Sequence, residues 1–511
     1  MFDPYLGGEI ERLRRAACDA FMCGPSSSAW GAGGGYEISG DYYVSTAGDS
    51  PDTRQEPVPR PDMHGTGGGL DVDTFTGNTR EQFLDIQQQI DGIVDRWRSV
   101  PDPIIIGDLY GKFHDEVATR FLDRLKRAGG SYIPGEGMGS MMHKLDDIYC
   151  GLLGPGERET GQLDPNQGLP GEAGLVFKGY IQNLYNVVCA CQEIVSMVDG
   201  NLESERDLWT KARVDAINTV GTIASVCEKI SRGGSGGVGS VLTATSFVFG
   251  IISLAAVPEA PVIGLISLAL SAVSVEGESF NLLDYAKPKD PGSISNSSRA
   301  IEVLSLLMND GAGTVNQGVT VTEQAIFDTL SGAIAAIEED KDRLFDPQPG
   351  PITEATPDKL GYDPYLATTI PSLMGDVADE LLAAANALVD CMGLPGAVLR
   401  RDERIGIGND GPYHKFYRLM HLLEAVLREL SGEVYAAADD FQTAMNALVQ
   451  ADADAQALLQ QMAGRFASSD VGELDVERWE AQEPSHPGHE YYEWLARKPV
   501  IPDLHERMTG G

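Results

Sequence analysis

Basic residues are scarce in this 511-residue chain: Lys and Arg number 38 against 76 Asp and Glu, a net charge of −38. Binding to nucleic acid or an anionic membrane through a basic surface rests on neutralising phosphates, and so little positive charge excludes it as the basis of function. So much acid reads as solubility, or else as self-repulsion that keeps a secreted or high-copy protein dispersed or as an acidic face for a basic partner. Cysteine is sparse too. Cys18, Cys23, Cys150, Cys189, Cys191, Cys227 and Cys391 form no CxxC pair. An odd count at uneven spacing suits neither a disulfide framework nor a zinc ribbon, so these read as small buried apolar residues. The N-terminal stretch lacks the apolar core and small-residue cleavage site of a Sec signal peptide. Synthesis in a reducing cytosol is therefore expected, with any export by a route that reads no such signal. There is no P-loop, no HExxH and no tandem repeat.

What is present is helical periodicity, interrupted by Gly- and Pro-rich connectors. Residues 4–22 read as a short amphipathic helix, and 24–78, rich in Gly, Ser, Pro and Asp, as a flexible linker. Phe83, Ile86, Ile90, Ile93, Val94 and Trp97 line one helix, and Leu109, Phe113, Val117, Phe121 and Leu125 a second. Residues 131–174 read mostly as loop. Residues 175–230 carry a long helical signal, a rod or two stacked helices with Gly200 the expected break. Further helices are expected over 301–308, 315–345 and 371–392. The best-patterned element begins at Phe416, where apolar residues recur at threes and fours to Met462. Leu423, Leu427, Leu430, Val434, Phe441 and Leu448 mark its seam, which fits a long bundle helix or a helix that pairs with a protein partner or a second copy.

The most unusual stretch lies in the middle. After the Gly-rich run 233–237, residues 241–257 carry no charge, Pro258 and Pro261 frame a turn, and residues 262–275 are again uncharged. Val241, Phe247, Phe249, Gly250, Ile251 and Leu254 on one arm, with Ile263, Leu265, Leu268 and Leu270 on the other, make an apolar helical hairpin. Each arm is shorter than the roughly 20 residues of a simple membrane-spanning helix. The hairpin therefore reads as buried core, or as a membrane-active element shielded in the soluble form. The expected fold is all-α, an elongated multi-helix bundle with long amphipathic helices and a central apolar hairpin. Its expected parts are 1–78, a helix and linker; 79–298, a helical region holding the hairpin at 239–275; 299–464, a helical and coiled-coil region; and 465–511, an acidic tail.

Motifs that carry chemistry are weak. Gly406-Ile407-Gly408-Asn409-Asp410-Gly411 matches GxGxxG, but dinucleotide binding needs a buried strand before it, and the three arginines and two acids of 397–405 make a poor one. A flexible loop between helices is the expectation there. His486-Pro487-Gly488-His489-Glu490 has Pro and Gly where a helical zinc motif would space its ligands. Asp71-Val72-Asp73-Thr74-Phe75-Thr76-Gly77 opens like a calcium loop but lacks the required Gly and closing Glu. His414 and His421, two helical turns apart, suit an exposed or interfacial role. No catalytic, cofactor-binding or metal-binding residues are assigned, and the chain reads as non-enzymatic.

Three stretches together resemble large actinobacterial substrates of type VII (ESX) secretion. They are Leu184-Tyr185-Asn186-Val187-Val188 with Asp207-Leu208-Trp209-Thr210-Lys211-Ala212-Arg213-Val214-Asp215; Tyr435-Ala436-Ala437-Ala438-Asp439, which fits the YxxxD/E export signal; and the Ala-, Asp- and Gln-rich helix around it. The likeness covers residues 175–462. In that family the signal follows a helix–turn–helix with a WxG turn, whose place Leu430-Ser431-Gly432 takes here. The resemblance implies a helical, oligomeric, secreted or envelope-associated protein, with Tyr435 and Asp439 as its export signal and helices that pair with a partner. Two alternatives fit the same sequence: an α-helical pore-forming toxin that inserts the 241–275 hairpin into a membrane, and a cytosolic assembly scaffold.

Overall fold

A computed structural model describes residues 4–23, 36–45, 57–63, 70–71, 77–126, 132–152, 172–232, 300–339, 364–393 and 398–448. Helix α1 (Pro4–Cys23) buries Leu6, Ile10, Leu13, Ala17 and Cys18, one stripe at helical spacing. Instead of a flexible linker, the following residues include a small antiparallel sheet, β1 (Tyr36–Ser39), β2 (Tyr42–Ser45) and β3 (Val58–Pro59), ordered β1-β2-β3. Its tyrosines explain the difference. Tyr43 is fully buried and its hydroxyl donates to Asp19 of α1 at 2.9 Å, while Arg60 forms an ion pair with the same carboxylate. A second pairing joins β4 (Asp62–Met63) to β5 (Leu70–Asp71).

Helix α2 (Gly77–Arg98) buries all six residues of its expected stripe. Pro101 and Pro103 end it and start α3 (Pro103–Phe113), whose first turn is set by Asp102: its carboxylate accepts the Ile104 N–H at 3.2 Å, with proline at the first helical position. The helix runs on through a π turn (His114–Ala118) into α4 (Thr119–Phe121). It stops there, one turn short of Leu125 in the expected stripe, because Leu122–Lys126 forms strand β6 against β7 (Tyr132–Met138). Gly139 lets this hairpin fold back, since a Cβ there would collide with the Arg120 and Phe121 backbone. Helix α5 (Ser140–Leu152) follows in a region that reads mostly as loop; Met141, Met142, Leu145, Ile148 and Leu152 are its buried face.

The backbone of the bundle is α6 (Glu172–Ser231), a single 60-residue helix, about 90 Å long at the standard rise. It does not break at Gly200. Helix α3 runs antiparallel to it: Asp102 meets Arg213 at 3.3 Å, His114 meets Asp199 at 3.0 Å, and Gln192 donates to the Phe121 carbonyl at 2.9 Å. Helix α1 docks farther along, where Arg12 reaches Glu228 at 2.7 Å and Ser225 at 2.9 Å. Helix α7 (Ala300–Glu339) also lies on α6. Helices α8 (Pro364–Met392) and α9 (Tyr413–Leu448) pair antiparallel. Arg428 reaches Asn386 at 3.2 Å, and Ser431 donates to the Ala378 carbonyl at 2.8 Å. The fold is all-α in character, an elongated helical bundle with small β pieces at its edges.

Candidate functional site

The charged interior of the bundle is built around the glycine-rich loop that joins α8 to α9. It is ordered by its own backbone: the Arg401 N–H donates to the Asn409 carbonyl at 3.0 Å, and Gly411 N–H to Gly408 at 3.2 Å. Gly406 and Gly411 have φ of 65° and 53°, the left-handed region, and neither has room for a side chain. A Cβ at Gly406 would strike the Glu323 carboxylate, and one at Gly411 the Arg401 guanidinium. The GxGxxG spacing thus serves a tight wrap around an ion pair, not a flexible connector. On the outer side, the Asp402 N–H donates to Ser99 Oγ at 2.8 Å, pinning the loop to the end of α2. Arg404 grips the Asp402 carboxylate and holds its pKa down at about 2.

Inside the loop, Arg401 and Glu323 are fully buried and form an ion pair. The guanidinium also donates to the Leu399 carbonyl at 2.7 Å and lies over the Trp209 ring, 4.9 Å from its centroid. The other Glu323 oxygen accepts the Ile407 N–H at 2.8 Å. Asn316 and Thr320 precede Glu323 on the same face of α7. Asn316 accepts the Gly406 N–H at 3.1 Å, and Thr320 donates to the Gly406 carbonyl at 3.2 Å. From α6, the fully buried Glu205 accepts Trp209 Nε1–H at 2.8 Å through Oε2. No described residue donates to its second oxygen, Oε1, which is also buried.

Two buried carboxyl groups therefore share the core with one guanidinium, Glu323 paired to it and Glu205 joined to the indole beneath it. The Glu205 pKa is raised to about 8, by burial first and then by the Glu323 charge, with Arg401 and the Trp209 hydrogen bond opposing. Burial also raises Glu323, against Arg401 and the Ile407 N–H. The arrangement ties α6, α7 and the α8–α9 loop together.

A second buried pair lies farther along α6, where His114 in the π turn sits 3.0 Å from Asp199. The Tyr110 ring lies 5.8 Å from that imidazole, and Arg206 stands over the other part of this contact, 5.0 Å from the Tyr110 centroid. A π turn adds a residue to the helical turn and re-aims side chains, here turning His114 onto α6.

The residues named by the sequence fall elsewhere. Tyr435 and Asp439 lie one turn apart on α9; Asp439 is exposed, and the half-buried Tyr435 donates its hydroxyl to Asp379 of α8. Leu430-Ser431-Gly432 lies inside α9 and makes no turn. Leu423, Leu427, Leu430, Val434 and Phe441 are all fully buried within the chain, so this seam packs on the protein's own helices and is not open to a partner. Phe441 stacks on Phe177 of α6 at 4.3 Å. Leu448 ends the described part of α9, and the expected continuation to Met462 lies outside the described residues. His414 is exposed, 3.7 Å from Asp410, and His421 is largely buried, 3.6 Å from Glu424. Asp71 ends β5 opposite Asp62, while residues 72–76, the apolar arms at 241–275 and the histidines at 486 and 489 lie outside the described residues.

Among the described residues no helix is long and apolar enough to cross a membrane, and no group of three His, Cys, Asp or Glu could hold a metal. The Glu205–Arg401–Glu323 cluster escapes sequence reading because its members are 118 and 78 residues from one another at the nearest. Its one local trace is the polar stripe Asn316, Thr320 and Glu323, at i, i+4 and i+7 along α7. No family model matches the chain, and no curated protein or solved structure matches it.

Proposed function

We propose that this chain is a non-enzymatic helical interaction protein, exported or held at the cell envelope in the manner of type VII secretion substrates. The observation that carries this reading is Tyr435-Ala436-Ala437-Ala438-Asp439 on the second helix of an antiparallel pair, with the Asp439 carboxylate exposed one turn from Tyr435. An exposed carboxylate on a rigid helix is readable by a protein receptor without unfolding the bundle. Since the α9 seam is consumed inside the chain, contacts with a partner or a second copy use the outer helix faces, where acid dominates. Export of the full chain from an actinobacterial host with an active type VII system tests the reading. Tyr435→Ala and Asp439→Ala are expected to leave the protein in the cell at normal levels and empty the culture filtrate. Export of both variants at the wild-type level would sink the idea.

A second reading rests on the two uncharged arms 241–257 and 262–275. A protein that buries these in a bilayer binds and permeabilises liposomes more strongly at about pH 4.5 than at about pH 7.5, as protonated carboxylates lower the charge barrier. Gly250→Asp with Gly264→Asp abolishes that leakage. No binding at any pH removes this reading.

A further inference from the structure

The geometry points to a proton-operated latch at the centre of the bundle: Glu205 keeps the α8–α9 loop and α7 clamped on α6 while it carries a proton, and releases them when it ionises. This inference is independent of the export reading. It rests on the count and placement of charges. Glu323 of α7 pairs with the buried Arg401 guanidinium, which lies over the Trp209 ring, and Glu205 of α6 accepts the indole N–H of that same tryptophan; both carboxyl groups have no exposure to water. With Glu323 ionised and paired, a second buried negative charge at Glu205 has no cation of its own. Its Oε2 is met by the Trp209 indole N–H, and no described residue donates to its Oε1. An ionised carboxylate in that position carries a large desolvation cost, which opening the clamp relieves.

The charged groups facing Glu205 are Glu323 from α7 and Arg401 from the loop. On the α3 side, the neighbouring Arg206 turns instead to Asp207, Glu203 and the Tyr110 ring. On the outer side of the loop, Asp402 is held by Arg404 and Ser99. None of these supplies a second cation to the interior. The loop and α7 are joined to each other, since Glu323, Asn316 and Thr320 hold the backbone of Gly406 and Ile407. Helices α6 and α7 bracket residues 232–299 in the chain, so the latch governs how firmly the two flanks of that segment are held.

The sign follows from the raised carboxyl. The closed form binds the proton up to about pH 8, while the open form loses it near the ordinary carboxylate range, about pH 4.3. Opening therefore grows more favourable by up to about tenfold per pH unit between those limits and levels off above them.

Hydrogen exchange followed by mass spectrometry on the full chain reads this, with protection factors corrected for intrinsic rates, at pH 5.5, 6.5 and 7.5. Peptides covering 400–412 and 316–327 are expected to lose protection by about tenfold or more across that range. Glu205→Gln, which keeps the shape and removes the charge, is expected to flatten this slope, while peptides of α1 and α2 keep their wild-type pH dependence. Glu323→Gln provides a second arm: with one carboxylate left for Arg401, Glu205 ionises in the closed state and the slope disappears there as well. A wild-type protein with no slope in these peptides overturns the latch. So does a slope that survives in Glu205→Gln, or one that survives in Glu323→Gln should Glu205→Gln fail to fold.

Discussion

Gly406 shows how much a single position carries here. Its φ is positive, and the space where a Cβ would go belongs to the Glu323 carboxylate. Alanine at 406 must therefore displace the ion pair as well as strain the backbone. Arg401 is the other pivot, because it is the cation paired with the buried Glu323 and it lies on Trp209. Arg401→Met is expected to cost about 3–5 kcal/mol in chemical denaturation, the range for stripping one partner from a buried ion pair. Arg401→Lys retains the charge but neither forks to the Leu399 carbonyl nor covers the indole, so it recovers only part of the loss. Equal stability of all three proteins would mean that the core tolerates unpaired Glu323. At the surface the scale is different. Asp439→Ala alters an exposed side chain and is expected to change stability by no more than about 0.5 kcal/mol, so lost export in that variant reports recognition and not misfolding.

Among the elements, α9 is the keystone of the second half. It packs its apolar stripe on α8 and α6 at once, with Phe441 stacked on Phe177 and Ser431 bonded to the Ala378 carbonyl. Phe441→Ala is expected to lose about 3–5 kcal/mol, the usual toll of emptying a buried aromatic site. Ser431→Ala is expected to lose about 1 kcal/mol, one hydrogen bond. Denaturant melts of the two variants check the ratio; a Phe441→Ala protein as stable as wild type would mean that the α6–α9 contact is dispensable. The apolar spacing of α9 was plain in the sequence, as were the stripes of α2 and α3 and most of that of α6. The partner side of each stripe was not. A heptad seam looks the same whether it meets a second chain or an antiparallel neighbour of its own, and only the α8–α9 turn decides between them.

For the molecule as a whole, pH is the variable to which this chemistry answers. Burial raises Glu205 to about 8, Glu193 to about 7 and Asp215 to about 6. A carboxyl raised in the folded state binds more protons than in the unfolded state. Its contribution is therefore full below the unfolded value, about 4, and is lost as pH rises through the folded one. Between about pH 5 and pH 8 the protein is expected to melt at progressively lower temperature as pH rises, and the net charge of −38 acts in the same direction through self-repulsion. Asp402 and Glu228, lowered by their arginine partners, turn the curve only below about pH 4. A calorimetric profile flat from pH 5 to pH 8 would show that these buried groups do not titrate with unfolding.

The sequence by itself determined the helical class, the buried stripes of most helices and the acidic exterior, because each depends on residues a few positions apart or on composition alone. It also marked Tyr435 and Asp439, adjacent on a helix whatever that helix packs against. Tertiary structure alone decided that α6 runs unbroken past Gly200, that Tyr43 folds a sheet onto α1, and that the glycine loop closes on an ion pair. In each case the deciding partner is remote in sequence: α3 lying along α6, Asp19 beneath Tyr43, Glu323 and Glu205 around Arg401. A buried charge is placed by the cation or carboxylate that compensates it, and that partner is chosen by the packing of helices, not by the residues beside it in the chain.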